Sequence, residues 1–118
     1  MNKEFIPYEQ ALELKELGFN EECAAHYLDV NDLELKWKIY RNLSFNTSKC
    51  LQAPLYQQAF RWFRENHDFF SFIEFIGEDR TFEVKIDTDD EYLVFHSNTY
   101  EEGELTCLKK LIEIFKNK

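Results

Sequence analysis

One short pattern recurs three times in this chain, each time where a helix begins. It reads Tyr8-Glu9-Gln10-Ala11-Leu12, then Tyr56-Gln57-Gln58-Ala59-Phe60, then Tyr100-Glu101-Glu102-Gly103-Glu104-Leu105. A tyrosine comes first, two acidic or amide residues follow, then a small residue, then apolar residues at helical spacing. Acidic groups in a first turn complement the partial positive charge of a helix N-terminus. A small residue lets the helix approach a neighbouring sheet. A tyrosine at the entrance buries its ring and keeps its hydroxyl in water. The repeat is a packing device, and it places three helices with their buried faces before any other residue is read.

The first helix starts after Pro7, whose missing N–H costs nothing there. Tyr8, Ala11, Leu12 and Leu14 or Lys15 carry its helical spacing, Glu9, Gln10, Glu13 and Glu16 its wet face, and Gly18 sits where a C-terminal cap belongs. Glu22–Leu28 and Leu33–Tyr40 follow, split by Asp29-Val30-Asn31-Asp32, and read as a hairpin. In its second arm Leu33, Leu35, Trp37 and Ile39 alternate with Glu34, Lys36 and Lys38. Asn42–Ala53 carries no pattern and reads as a loop. Pro54 opens the second helix, with Tyr56, Ala59, Phe60 and Phe63 on one side and Arg61, Arg64 and Glu65 toward the other.

Three strands come next. Phe69–Ile76 is apolar almost throughout, which predicts a strand that is central or buried on both faces. Phe82, Val84 and Ile86 alternate with Glu83 and Lys85, and Tyr92–His96 is the third. Gly77-Glu78-Asp79 and Thr88-Asp89-Asp90 are turn chemistry. Thr99 and Glu102 form a capping box for the last helix, which carries Leu105, Leu108, Leu111, Ile112 and Phe115. The expected product is an α+β domain spanning residues 1–118, in the order α-β-β-α-β-β-β-α. Residues 1–50 supply a helix plus a hairpin, and residues 54–118 an αβββα unit. An antiparallel sheet is then packed against helices on one face. Its other face must be polar, covered by the first segment, or used for self-association.

Length and composition bound the class. At 118 residues, with 44% apolar and 17% aromatic residues, the chain has enough for a core without metals or disulfides. The net charge is −9, which opposes binding to nucleic-acid phosphates and to anionic membranes. Cys23, Cys50 and Cys107 are odd in number and never spaced Cys-x-x-Cys, so neither a disulfide framework nor a zinc site is expected. Met-Asn-Lys-Glu-Phe opens no signal peptide, and no apolar run reaches membrane-spanning length. The expectation is a reduced, cytoplasmic setting.

A resemblance adds to this. Tyr8 to Phe19, Ala53 to Glu65, and Tyr100 to Glu102 with Cys107 to Ile114 together resemble a family of small proteins of unassigned function, encoded by bacteriophages and bacterial mobile elements. The middle segment is its most specific part. The resemblance implies a bacterial host cytoplasm and brings no reaction, cofactor or catalytic residue with it. Ala24-Ala25-His26 departs from the more aromatic strand expected there.

Chemistry is sparse. His26, His67 and His96 stand alone, with no His-x-x-x-His pair, and Asp87-Thr88-Asp89-Asp90-Glu91 lacks the glycine and glutamate of a calcium loop. No glycine-rich phosphate loop and no nucleophile context is present, so no enzyme, metal or cofactor is expected. The αβββα order matches the topology of double-stranded RNA-binding domains, but those carry lysines where Glu101, Glu102 and Glu104 stand here.

Two clusters remain. Lys36, Trp37, Lys38 and Tyr40, with Arg61, Trp62 and Arg64, are the places where aromatic and cationic groups lie together. Such groups could hold a nucleotide, or they could be core rings with cations reaching to water. From residue 78 to 104 ten acidic residues face two cations, Arg80 and Lys85. They are Glu78, Asp79, Glu83, Asp87, Asp89, Asp90, Glu91, Glu101, Glu102 and Glu104. They suit either a phosphate-mimicking surface or ordinary wet turns and helix starts. The leading expectation is a non-enzymatic phage-type accessory protein that binds a partner, as a homodimer or with a host protein. Nucleotide sequestration against host defence and acidic DNA mimicry are the alternatives.

Overall fold

The computed structural model describes residues 4–29, 32–35 and 51–118. The fold is α+β and divides into two compact units, residues 1–55 and 56–118.

The first unit carries helix α1 (Tyr8–Glu16) and strands β1 (Ala25–Asp29), β2 (Asp32–Leu35) and β3 (Leu51–Ala53). The helix stops because Gly18 takes a φ of +106°, a region that favours glycine. The Gly18 amide then donates to the Lys15 carbonyl and the Phe19 amide to Leu14, closing a Schellman cap. Gln10, Ala11 and Leu14 are buried, while Leu12 is exposed. This corrects the expected faces, in which Gln10 was wet and Leu12 buried.

The hairpin pairs Ala25 with Leu35 and Tyr27 with Leu33. Its second arm runs over residues 32–35, and residues 36–40 lie outside the described residues. A third strand corrects the expected loop. β3 pairs antiparallel with β1, Ala25 opposite Ala53 and Tyr27 opposite Leu51, so β1 is central in the order β2-β1-β3. The Tyr27 hydroxyl donates to the Ile6 carbonyl at 2.6 Å, and the Cys23 amide to Gln52 Oε1 at 3.0 Å. Both bonds tie the N-terminal segment and β3 to the hairpin.

The second unit is α2 (Tyr56–His67), β4 (Phe70–Ile76), β5 (Thr81–Asp87), β6 (Tyr92–Ser97) and α3 (Tyr100–Lys116). The strands form an antiparallel meander with β5 in the middle. Among the described residues β4 is therefore an edge strand, not the central one that its apolar run suggested. Register sets three inner rungs, Ser71–Ile86–Leu93, Ile73–Val84–Phe95 and Phe75–Phe82–Ser97. Gly103 lies so close to this inner face that a Cβ there would sit 2.9 Å from Ser97 Oγ and 3.3 Å from Val84 Cγ2. Ala11, Ala59 and Gly103, the small residues of the three repeats, are all buried, as the packing argument requires.

The two helices run parallel. Near their N-terminal ends Gln57 Nε2 lies 3.5 Å from the Tyr100 hydroxyl. Near their C-terminal ends Phe115 packs against Trp62 and His67, with ring centroids 6.4 and 4.5 Å apart. Phe63, Leu108, Leu111, Ile112 and Cys107 are buried in this layer. Thr99 caps α3 as the sequence predicts, its hydroxyl accepting from the Glu102 amide at 3.1 Å.

Candidate functional site

The outer face of the β4–β5–β6 sheet is built from the alternate rungs, Phe70–Asp87–Tyr92, Phe72–Lys85–Val94 and Glu74–Glu83–His96. Two of the three rungs are mainly apolar, and their rings are open to solvent. Phe72 is 60% exposed and Tyr92 61%, with Val94 at 43% and Phe70 at 40%. Soluble chains rarely leave such side chains adjacent on one face without a use for them.

The third rung is polar and self-satisfied. Lys85 Nζ lies 3.3 Å from Glu83 and 3.4 Å from Glu74, and His96 Nε2 lies 3.2 Å from Glu83. The hydrogen bond that its ammonium donates to Glu83, then that to Glu74, holds Lys85 above its ordinary pKa. These groups lie on an open sheet surface rather than in a cleft. The charge in the middle of the face is thus already countered by its own neighbours.

A second feature lies at the sheet edge. A pocket of about 190 Å³ is lined by Gln57, Phe60 and Arg64 of α2, by residues 71–73 of β4, and by Tyr100. Side chains of consecutive strand residues point to opposite faces. A pocket touching residues 71, 72 and 73 therefore lies at the strand's edge rather than on either face. Burial raises the Tyr100 hydroxyl's pKa, with Glu104 and Cys107 adding to it.

Of the predicted aromatic–cationic cluster, the three members on α2 point in different directions. Lys36, Trp37, Lys38 and Tyr40 lie outside the described residues. Trp62 is 6% exposed and packs edge-on against Phe63 and His67, so its faces serve the core. Arg61 turns along the helix to Glu65, 3.6 Å away. Arg64 lines the edge pocket. Helical geometry explains the split, since residue 62 lies about 100° from 61 and about 200° from 64.

The ten acidic residues are divided as well. Glu78 and Asp79 lie in the β4–β5 turn, and Glu101, Glu102 and Glu104 open α3 beside the end of β6. Asp87, Asp89, Asp90 and Glu91 lie at the opposite end of β5. A seven-residue strand separates the groups by about 20 Å. Glu83 sits between them, bound to Lys85 and His96, and Glu104 is buried.

Phe70 and Phe72 alternate along β4 with Ile73 and Phe75 and so point to the opposite face. Tyr92, Val94, Gln57 and Tyr100 were not picked out as contact residues. The apolar positions Tyr92 and Val94, on the alternate phase to Leu93 and Phe95, were the available signal.

Burial pushes the Cys107 thiol up to about 12, which makes it a poor nucleophile at neutral pH. Among the described residues no group of three or more His, Cys, Asp or Glu is placed to hold a metal ion. No helix there is long and apolar enough to cross a membrane. Comparison with protein-family models, with curated proteins and with solved structures finds no match to this chain.

Proposed function

We propose that this chain is a non-enzymatic accessory protein of the phage or mobile-element type that works by binding, and that its outer sheet face is the contact surface. The observation that carries the reading is the adjacency of exposed Phe70, Phe72, Tyr92 and Val94 on the two apolar rungs. The occupant is a second copy of the chain. Lys85 is countered by Glu74 and Glu83 on its own face, so association is driven by area rather than by charge. Two sheets stacked about 10 Å apart bury such rungs against each other, and a two-fold axis supplies an identical face at no further demand on sequence.

Sedimentation at micromolar concentration and tenfold lower tests this. The expected result is a species of twice the 14.3 kDa chain mass that dissociates on dilution. Phe72→Lys with Tyr92→Lys is expected to abolish it while the circular dichroism stays native. A single 14.3 kDa species at both concentrations sinks the reading.

The two other readings draw less support. Nucleotide sequestration counts Trp62 among its stacking rings, and that ring is in the core. The edge pocket is also below the roughly 300–1,000 Å³ of small-molecule sites. Mimicry of a phosphate backbone calls for a continuous acidic ridge, and the carboxylates here are split between two ends of the sheet.

A further inference from the structure

The edge of β4 and the pocket beside it meet the two requirements for capturing an extended peptide. Among the described residues β4 is hydrogen-bonded to β5 alone, so its other edge presents unpaired backbone N–H and C=O groups. Such an edge is a template for one more strand. The wall across from it is α2, where Gln57, Phe60 and Arg64 share one face at spacings of three and four residues. The result is a groove floored by the strand edge, walled by a helix and closed at one end by Tyr100.

Charge selects the occupant. Arg64 is the one charged group lining the pocket, in a chain whose net charge is −9. Its neighbour Glu65 is turned toward Arg61 instead. Glu104 lies one turn beyond Tyr100 and does not line the pocket. A carboxylate in the pocket meets a guanidinium that forms two-pronged hydrogen bonds with it, while the Gln57 amide and Tyr100 hydroxyl offer further donors. Phe60, Phe72 and Ile73 supply apolar walls for the flanking side chains.

We propose that the β4 edge binds an extended acidic peptide from a partner protein by strand addition, with one Asp or Glu side chain seated against Arg64. This site shares Phe72 with the outer-face contact but turns on Arg64, which lies on α2 and not on that face.

The test is a random heptapeptide library, flanked at both ends so that no terminus is free, selected on the full chain. The expected consensus has one acidic position, β-branched or aromatic neighbours at alternate places, and no proline. The strongest peptide, labelled with fluorescein, is then titrated against variants. Arg64→Glu is expected to weaken it at least tenfold, and Arg61→Glu less than twofold. Exchanging the peptide's carboxylate for the amide is expected to match the Arg64→Glu loss. N-methylation of its backbone is expected to abolish binding at one alternation of residues and not at the other. Sedimentation of Arg64→Glu is expected to equal that of the wild type, which separates this site from the outer face. A basic or helix-forming consensus, no enriched sequence, or an Arg64→Glu affinity equal to wild type overturns the proposal.

Discussion

The two faces of the β4–β5–β6 sheet are made of similar residues and meet opposite fates. The inner face presents Ile73, Val84, Ile86, Leu93 and Phe95, which α2 and α3 cover, and only Phe75 at its end stays 51% exposed. The outer face presents Phe70, Phe72, Tyr92 and Val94 and remains open. On β5 the alternation is clean, apolar inward and charged outward. On β4 and β6 both alternations carry apolar side chains. Residue type therefore marks the outer face as a surface that needs a cover, while the helices available to this unit suffice for one face alone.

Two valines make the comparison sharp. Val84 and Val94 lie one strand and one rung apart, the first fully buried and the second 43% exposed. Val84→Asp puts an unpaired carboxylate against Gly103 and Ile73 and is expected to cost more than about 4 kcal/mol, enough to unfold the unit. Val94→Asp is expected to cost under about 1 kcal/mol in monomer stability while weakening self-association. Urea melts followed by circular dichroism decide. Equal losses for the two variants would mean that the outer face is covered in solution by this chain itself.

Helix approach gives a second, smaller contrast. Gly103→Val forces side-chain atoms into space already held by Ser97 and Val84, and overpacking of this kind costs about 1–3 kcal/mol. Gly77 is the control, since a Cβ there meets only the Phe75 ring at 3.7 Å. Gly77→Ala is expected to leave the melting curve within about 0.5 kcal/mol of wild type. A benign Gly103→Val would show that α3 can lift from the sheet without loss.

These contrasts also show which parts of the molecule local pattern reveals. The α3 stripe, the β5 alternation, the Gly18 stop and the Thr99 cap each depend on neighbours within a few residues, and each is legible. β3 is three residues long with Gln52 at its centre, too short to show a period. Trp62 reads as a surface partner of two arginines because only α3, from 50 residues further on, brings Phe115 against it. The exchange of Gln10 for Leu12 on α1 has the same character, since a nine-residue helix carries too few turns for its pattern to settle its rotation. The edge pocket was least legible. Arg64, Phe72 and Tyr100 come from three elements, and no spacing along the chain announces that they meet.

Capping should weigh less than packing. Thr99→Ala removes the one side-chain acceptor for the Glu102 amide at the start of α3 and is expected to cost about 1 kcal/mol. A loss several times larger in the same urea titration would mean that Thr99 also fixes the β6–α3 connection, where Ser97 Oγ donates to its carbonyl at 3.0 Å.

The smallest expected effect is a pH dependence on the covered side of this unit. The His67 ring is packed among Trp62, Phe63, Phe69 and Phe115, and that burial, with the Lys118 cation next, holds its pKa below the ordinary histidine value. Well above that ordinary value of about 6.5 both folded and unfolded chains carry a neutral ring, and the group contributes no slope. Below it the unfolded chain takes up a proton that the folded chain refuses, so stability falls as pH drops. The decline levels off once pH passes the lowered folded value. His67→Gln removes the titration, and its urea midpoint should fall less than that of the wild type between about pH 7.5 and about pH 5.5. A variant with the wild-type slope would mean that the ring is protonated as readily in the fold as outside it. The aromatic enclosure between α2 and α3 would then be looser than the inner face beside it.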